Sequence, residues 1–250
     1  MRLLTLLLTF AVAITGSTHA ALLDFLKSKT NSTSTALPSL AGLSQDQVAD
    51  ALRQALDKGV QTAVTNLARP GGFLDNPKVK IPMPEKLLAV EKSLRAMEQD
   101  QYADEFVATM NRAAEAAVPA ALPIFTGALK AMTIDDAKKL VSGGQDSATQ
   151  FFKTKGEKQI QEKMSPIIRQ ATEQAGVTAA YKKLLAQAGG ATSFLGKLNV
   201  DPASLDVDKY VGQKASDGLF KMIAEEEGRI RQNPAARTTE LLQKVFGPAK

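Results

Sequence analysis

The sequence predicts an all-α protein: one compact multi-helix domain of about nine helices behind an N-terminal signal peptide and a flexible linker. Three observations predict it. Apolar residues recur at three- and four-residue spacing through most of the chain after Leu43. The periodic runs are closed by Gly-Gly, Gly-Pro or Asn-Pro. No two alternating segments are placed to pair as a hairpin.

The first twenty residues have the layout of a secretory leader. Arg2 supplies the positive charge, and Leu3 to Ile14 form an apolar run broken only by Thr5 and Thr9. Thr18-His19-Ala20 then puts small residues where a signal peptidase reads, so cleavage is expected after Ala20, giving a periplasmic or secreted product. The run is well short of the ~20 apolar residues of a membrane span. Residues 21–42 follow as a short amphipathic turn and a linker. Leu22, Leu23, Phe25 and Leu26 make the turn, which offers a peripheral membrane contact. Lys27 to Ser39 is rich in Lys, Ser, Thr and Asn.

The helical domain is expected over residues 43–247. Ser44 and Gln47 have capping-box spacing, and Val48, Leu52, Leu56, Val60, Val64 and Leu67 carry the first helix to near Ala68. Arg69 to Pro84 is irregular, with Val79, Ile81 and Met83 alternating as an extended segment over the core. Pro84 fits the first turn of a helix ending near Met97. Tyr102 to Ala117 is the next, and Pro119 and Pro123 predict a kink or break after it. Thr133 caps a short helix that Gly143-Gly144 closes. Ser147 to Ala175 is a long helix that Gly156 and Pro166 should bend. Gly176 ends it, and Thr178 to Ala188 follows. After a loop, Asp208 opens a long helix that Asn233-Pro234 breaks, and Leu241, Leu242, Val245 and Phe246 mark the last.

Absences narrow the chemistry. The one His is His19, and there is no Cys and no Trp, so the chain beyond the leader lacks imidazole and thiol. Ser-His-Asp and Cys-His catalysis, thiolate redox and His/Cys zinc sites are excluded there. Carboxylate pairs, Lys, Tyr, Ser, Thr and oxygen-ligated metals are what is left. No cofactor or metal motif stands out. Lys plus Arg exceed Asp plus Glu by five, and by four without Arg2. That excess is spread along the chain and forms no nucleic-acid stripe.

Four groups of residues invite a functional reading, each beside a structural one. Asn111, Arg112 and Glu115 lie in an Ala-rich apolar run, and Asn111 and Glu115 share a helix face. They form either a polar pocket in which Arg112 binds a carboxylate or phosphate, or a network fixing helix register. Asn233, Arg237 and Thr238 lie at a helix break, where they either hold an anion or simply cap a helix. Phe73, Asn76 and Ile81 sit on the Pro-rich loop, either as a partner-docking edge or with Phe73 and Ile81 as core plugs. Glu225, Glu226 and Glu227 offer oxygens to a cation. They equally make a solvated salt-bridged face, with Glu225–Arg229 and Glu227–Arg231 four apart.

Several motifs together carry a resemblance. They are Pro70-Gly71-Gly72-Phe73-Leu74-Asp75-Asn76-Pro77, Ile81-Pro82-Met83-Pro84-Glu85-Lys86-Leu87, Met110-Asn111-Arg112-Ala113-Ala114-Glu115-Ala116-Ala117-Val118-Pro119, Ala148-Thr149-Gln150-Phe151-Phe152 and the stretch from Glu225 to Thr239. The chain resembles the bacterial domain-of-unknown-function family 4197 from about Leu43 to Gly247. The resemblance implies an exported helical domain and brings no activity, substrate or catalytic residue with it. The expected role is a non-enzymatic binding or interaction protein of the cell envelope. Its partner would be a protein, or a small apolar or anionic molecule, held between helices. The competing roles are a carboxylate-based hydrolase or lyase built around Glu115, and a peripheral membrane-associated envelope protein.

Overall fold

The structure is a computed structural model, and it describes residues 44–187 and 205–232. These residues lie within one compact unit, Pro38–Lys250. The expected leader, linker, 191–204 loop and final helix lie outside the described residues. So do Asn233, Arg237 and Thr238.

Helix α1, Gln45–Ala68, opens on the expected capping box. Ser44 Oγ accepts from the Gln47 amide at 3.2 Å and Gln47 Oε1 accepts from the Ser44 amide at 2.8 Å. A strap, residues 69–84, follows, with Gly71 at φ 77° in the left-handed region that suits Gly. Pro84 precedes a 3-10 turn, Glu85–Leu87, which leads into α2, Leu88–Ala96. This helix ends on Glu98 at φ 58°, a left-handed residue that is not Gly. Helix α3, Asp100–Ala117, starts two residues before the expected Tyr102. The prolines do break the chain: Pro119 opens a 3-10 turn, Val118–Ala121, and Pro123 sits in the first turn of α4, Leu122–Lys130. An early position suits proline because the N–H it lacks would have no helical partner there.

Helix α5, Ile134–Val141, has a second capping box from Thr133 and Asp136. The Thr133 hydroxyl and backbone hold the Asp136 carboxyl below its ordinary range. Helix α6, Ser147–Gln174, runs unbroken through Gly156 and Pro166. Gly176 at φ 73° ends it, and α7, Val177–Gln187, follows. Helix α8, Val207–Gln232, is the last described element. The eight helices and two 3-10 turns make the described residues all-α.

Helices α6 and α8 run antiparallel. Glu227 meets Ala148 and Thr149 at one end, and Asp208 meets Thr172 at the other. Helices α1 and α3 pack against this pair. Phe125 of α4 wedges between them, edge-on to Phe152 at 5.2 Å and to Phe220 at 5.8 Å. Alanines at 49, 51, 63, 103, 113, 114 and 117 are fully buried and let the axes approach closely.

Candidate functional site

The strap is held down by the two polar residues of α3 that share a face. Glu115 is 6% exposed, and its Oε1 accepts from the Phe73 amide at 3.0 Å and the Leu74 amide at 3.2 Å. One turn earlier, Asn111 is fully buried. Its Oδ1 accepts from the Ile81 amide at 2.8 Å, and its Nδ2 donates to the Ile81 carbonyl at 2.9 Å and the Val107 carbonyl at 2.7 Å. Both side chains thus serve backbone groups that the irregular strap cannot pair with itself. Arg112 is exposed and makes no hydrogen bond to either of them, while Asn111 and Glu115 form a network that serves the strap.

Phe73 and Ile81 are fully buried, and the Asn76 Oδ1 accepts from the Lys78 amide at 3.1 Å to shape a turn. Phe73 packs on Gly218 of α8, where a Cβ would lie 2.8 Å from Phe73 Cε1 and 3.3 Å from Val79 Cβ. From α8, Tyr210 Oη donates to the Pro82 carbonyl at 3.1 Å and Lys221 Nζ to the Lys78 carbonyl at 3.0 Å. Burial, with Glu85 nearby, holds the Tyr210 phenol above its ordinary range.

Glu225, Glu226 and Glu227 separate into three environments. Glu225 pairs with Lys78 at 2.9 Å rather than with Arg229. Arg229 instead takes Glu226 at 2.6 Å. Glu227 is 4% exposed and pairs with Arg231 at 2.9 Å, so the expected pair forms but not on a solvated face. Its two oxygens accept from the Ala148 amide at 2.9 Å and from the amide and hydroxyl of Thr149 at 3.0 Å each. Asp146 makes no side-chain cap for α6, and Glu227 supplies that cap from the far end of the chain. Arg231 Nη2 donates to the Leu140 carbonyl at 2.7 Å and Ser147 Oγ at 2.8 Å, tying in the end of α5.

Among the described residues, two openings are walled by a second helix packed beside α6. A groove of about 980 Å³ runs between α4 and α6. Ala120, Pro123, Ile124, Gly127 and Ala128 form one wall; Phe151, Gly156 and Ile167 form the other, with Lys155 and Lys163 at the rim. A smaller cavity of about 450 Å³ lies between α6 and α8, on the opposite side of α6. Neither opening was foreseen in the sequence, because each needs two helices distant along the chain. Among the described residues no three His, Cys, Asp or Glu side chains are placed to hold a metal. No single described helix is long and apolar enough to cross a membrane.

No curated protein and no solved structure matches the chain. One family model does, over residues 42–247, close to the span on which the motifs placed the resemblance. The chain therefore belongs to the family described as protein of unknown function, DUF4197.

Proposed function

We propose that the protein is an exported, non-enzymatic binding protein of the cell envelope, and that it grips a helical segment of a partner protein in the groove between α4 and α6. The groove carries this reading. Its α4 wall is low, since Ala120, Gly127, Ala128 and Ala131 have little or no side chain. A third helix can then settle at the usual interaxial distance of about 8–10 Å without displacing anything. Ile124, Phe151 and Ile167 are only half buried and offer apolar contacts to the inserted face. Among the rim charges, Asp136 is engaged in its capping box and Glu162 pairs with Lys158 at 3.9 Å, whereas Lys155 and Lys163 make no ion pair among the described residues. An amphipathic helix with acidic flanks complements that rim. The carboxylate around which a hydrolase was expected, Glu115, is turned onto backbone amides, which supports a role without catalysis.

Two measurements test it. Intact mass of the chain recovered from its own cells should place the first residue at Ala21. Co-purification should recover a partner that Ile124→Glu and Gly127→Trp both lose and that Lys92→Glu, on α2, retains. A partner that survives both groove variants, or a chain whose mass includes the leader, contradicts the proposal.

A further inference from the structure

The cavity between α6 and α8 holds an unexplained group. Ser216 is 2% exposed and its hydroxyl has no hydrogen-bond partner. Leaving a buried hydroxyl unsatisfied is costly, so its persistence at a cavity wall points to something that completes it. Water alone would account for one hydroxyl. It would not account for the rest of the cavity, which is graded from end to end.

The antiparallel pairing fixes that gradient. Toward the α8 N-terminus stand Arg169 and Lys209, one from each helix, and neither makes an ion pair among the described residues. The acids nearby are engaged. Asp208 accepts from the Thr172 hydroxyl at 2.6 Å, and Asp206 caps α8 by accepting from the Lys209 amide at 2.9 Å. Both acids keep their charge, but each already has a donor, whereas the Arg169 and Lys209 side chains have no acceptor side chain among the described residues, so the unfilled hydrogen-bonding capacity at this end is that of donors. The middle is apolar, made by Met164 and Ile168 across from Gly212, whose Cβ would lie 3.3 Å from Ile168 Cδ1. At the other end stands the Ser216 hydroxyl, an uncharged group that both donates and accepts. Lys209 and Ser216 are seven residues apart on one helix, which separates the two ends by roughly 10 Å.

We propose that this cavity binds a short organic acid. Its carboxylate lies between Arg169 and Lys209, its chain lies over Met164, Ile168 and Gly212, and a hydroxyl or carbonyl at its far end pairs with Ser216. The length between the ends corresponds to a chain of roughly six to eight carbons at ~1.5 Å per bond. Binding involves no covalent step.

Calorimetric titration of the purified protein with 8-hydroxyoctanoate, octanoate and 1,8-octanediol tests each part. The hydroxy acid should bind at least tenfold more tightly than either of the others, because only it meets both ends. Ser216→Ala should abolish the preference for 8-hydroxyoctanoate over octanoate and leave octanoate affinity unchanged. Arg169→Gln with Lys209→Gln should remove the preference for acid over diol, and both changes are at exposed positions that leave the core alone. Three results would overturn the proposal: equal affinity for all three probes, no heat from any of them at millimolar concentration with the helical spectrum intact, or an undiminished hydroxyl preference in Ser216→Ala.

Discussion

Removing the Glu115 carboxylate should release the strap while leaving the helices in place. Its Oε1 is the acceptor for two strap amides, at 3.0 Å from Phe73 and 3.2 Å from Leu74. Phe73 is fully buried and Leu74 half buried, so neither amide finds water freely once the carboxylate is gone. A buried N–H left unpaired costs about 1–3 kcal/mol, and the half-buried one sits at the low end, so Glu115→Ala should lose about 2–4 kcal/mol. Glu115→Gln keeps an acceptor oxygen and loses only the charge assistance, which makes its loss about 1 kcal/mol. Against a domain stability of about 5–15 kcal/mol, the first is severe and the second mild. Urea unfolding followed by far-ultraviolet circular dichroism measures both. Amide hydrogen exchange should show Phe73 and Leu74 losing protection in Glu115→Ala while α6 keeps its own. The reasoning is refuted if Glu115→Ala unfolds within about 0.5 kcal/mol of the parent, the range of an ordinary surface change, with both amides still protected.

Other perturbations follow from the same contacts. Glu227→Ala strips the cap from α6 and leaves the buried Ala148 and Thr149 amides unpaired, so a loss of about 2–5 kcal/mol is expected on denaturation, with faster exchange at both. Gly218→Ala drives a Cβ to within 2.8 Å of Phe73 Cε1 and should cost about 1–3 kcal/mol. Adding Phe73→Leu should recover part of that loss, giving a non-additive double-mutant cycle. The fold depresses the Asp136 carboxyl below its ordinary 3.8, so its contribution is present above that pH and lost as pH falls through the lower folded value. The stability difference between the parent and Asp136→Asn should then be constant from about pH 6 to 8 and shrink below about pH 4.

What could be read from the sequence was whatever depends on near neighbours. The Ser44–Gln47 capping box and the Thr133 cap formed because each needs only a three-residue spacing. Pro119 and Pro123 marked a break because a missing N–H acts on its own turn. Glu227–Arg231 paired as the i,i+4 spacing suggests. Its burial was not legible, since that is set by Ala148 and Thr149, nearly eighty residues away. For the same reason Asn111 and Glu115 could be placed on one face, but not the strap amides they serve. Phe73 in a Gly- and Pro-rich loop read more readily as a core plug than as a docking edge, but the space that takes it in is made by Gly218 on a distant helix. The α4–α6 groove and the Ser216 cavity leave no sequence signal at all, because each is a gap between elements rather than a property of one.

The claim that the α4–α6 groove is the working surface is tested most directly by a photo-crosslinking side chain placed at Ala128 in living cells, with the same group at exposed Lys92 as the comparison. The account predicts one discrete protein adduct from position 128, with the linked peptide falling in a helical segment of the partner, and none of that adduct from position 92. No adduct at position 128, or the same adduct from both positions, would contradict it.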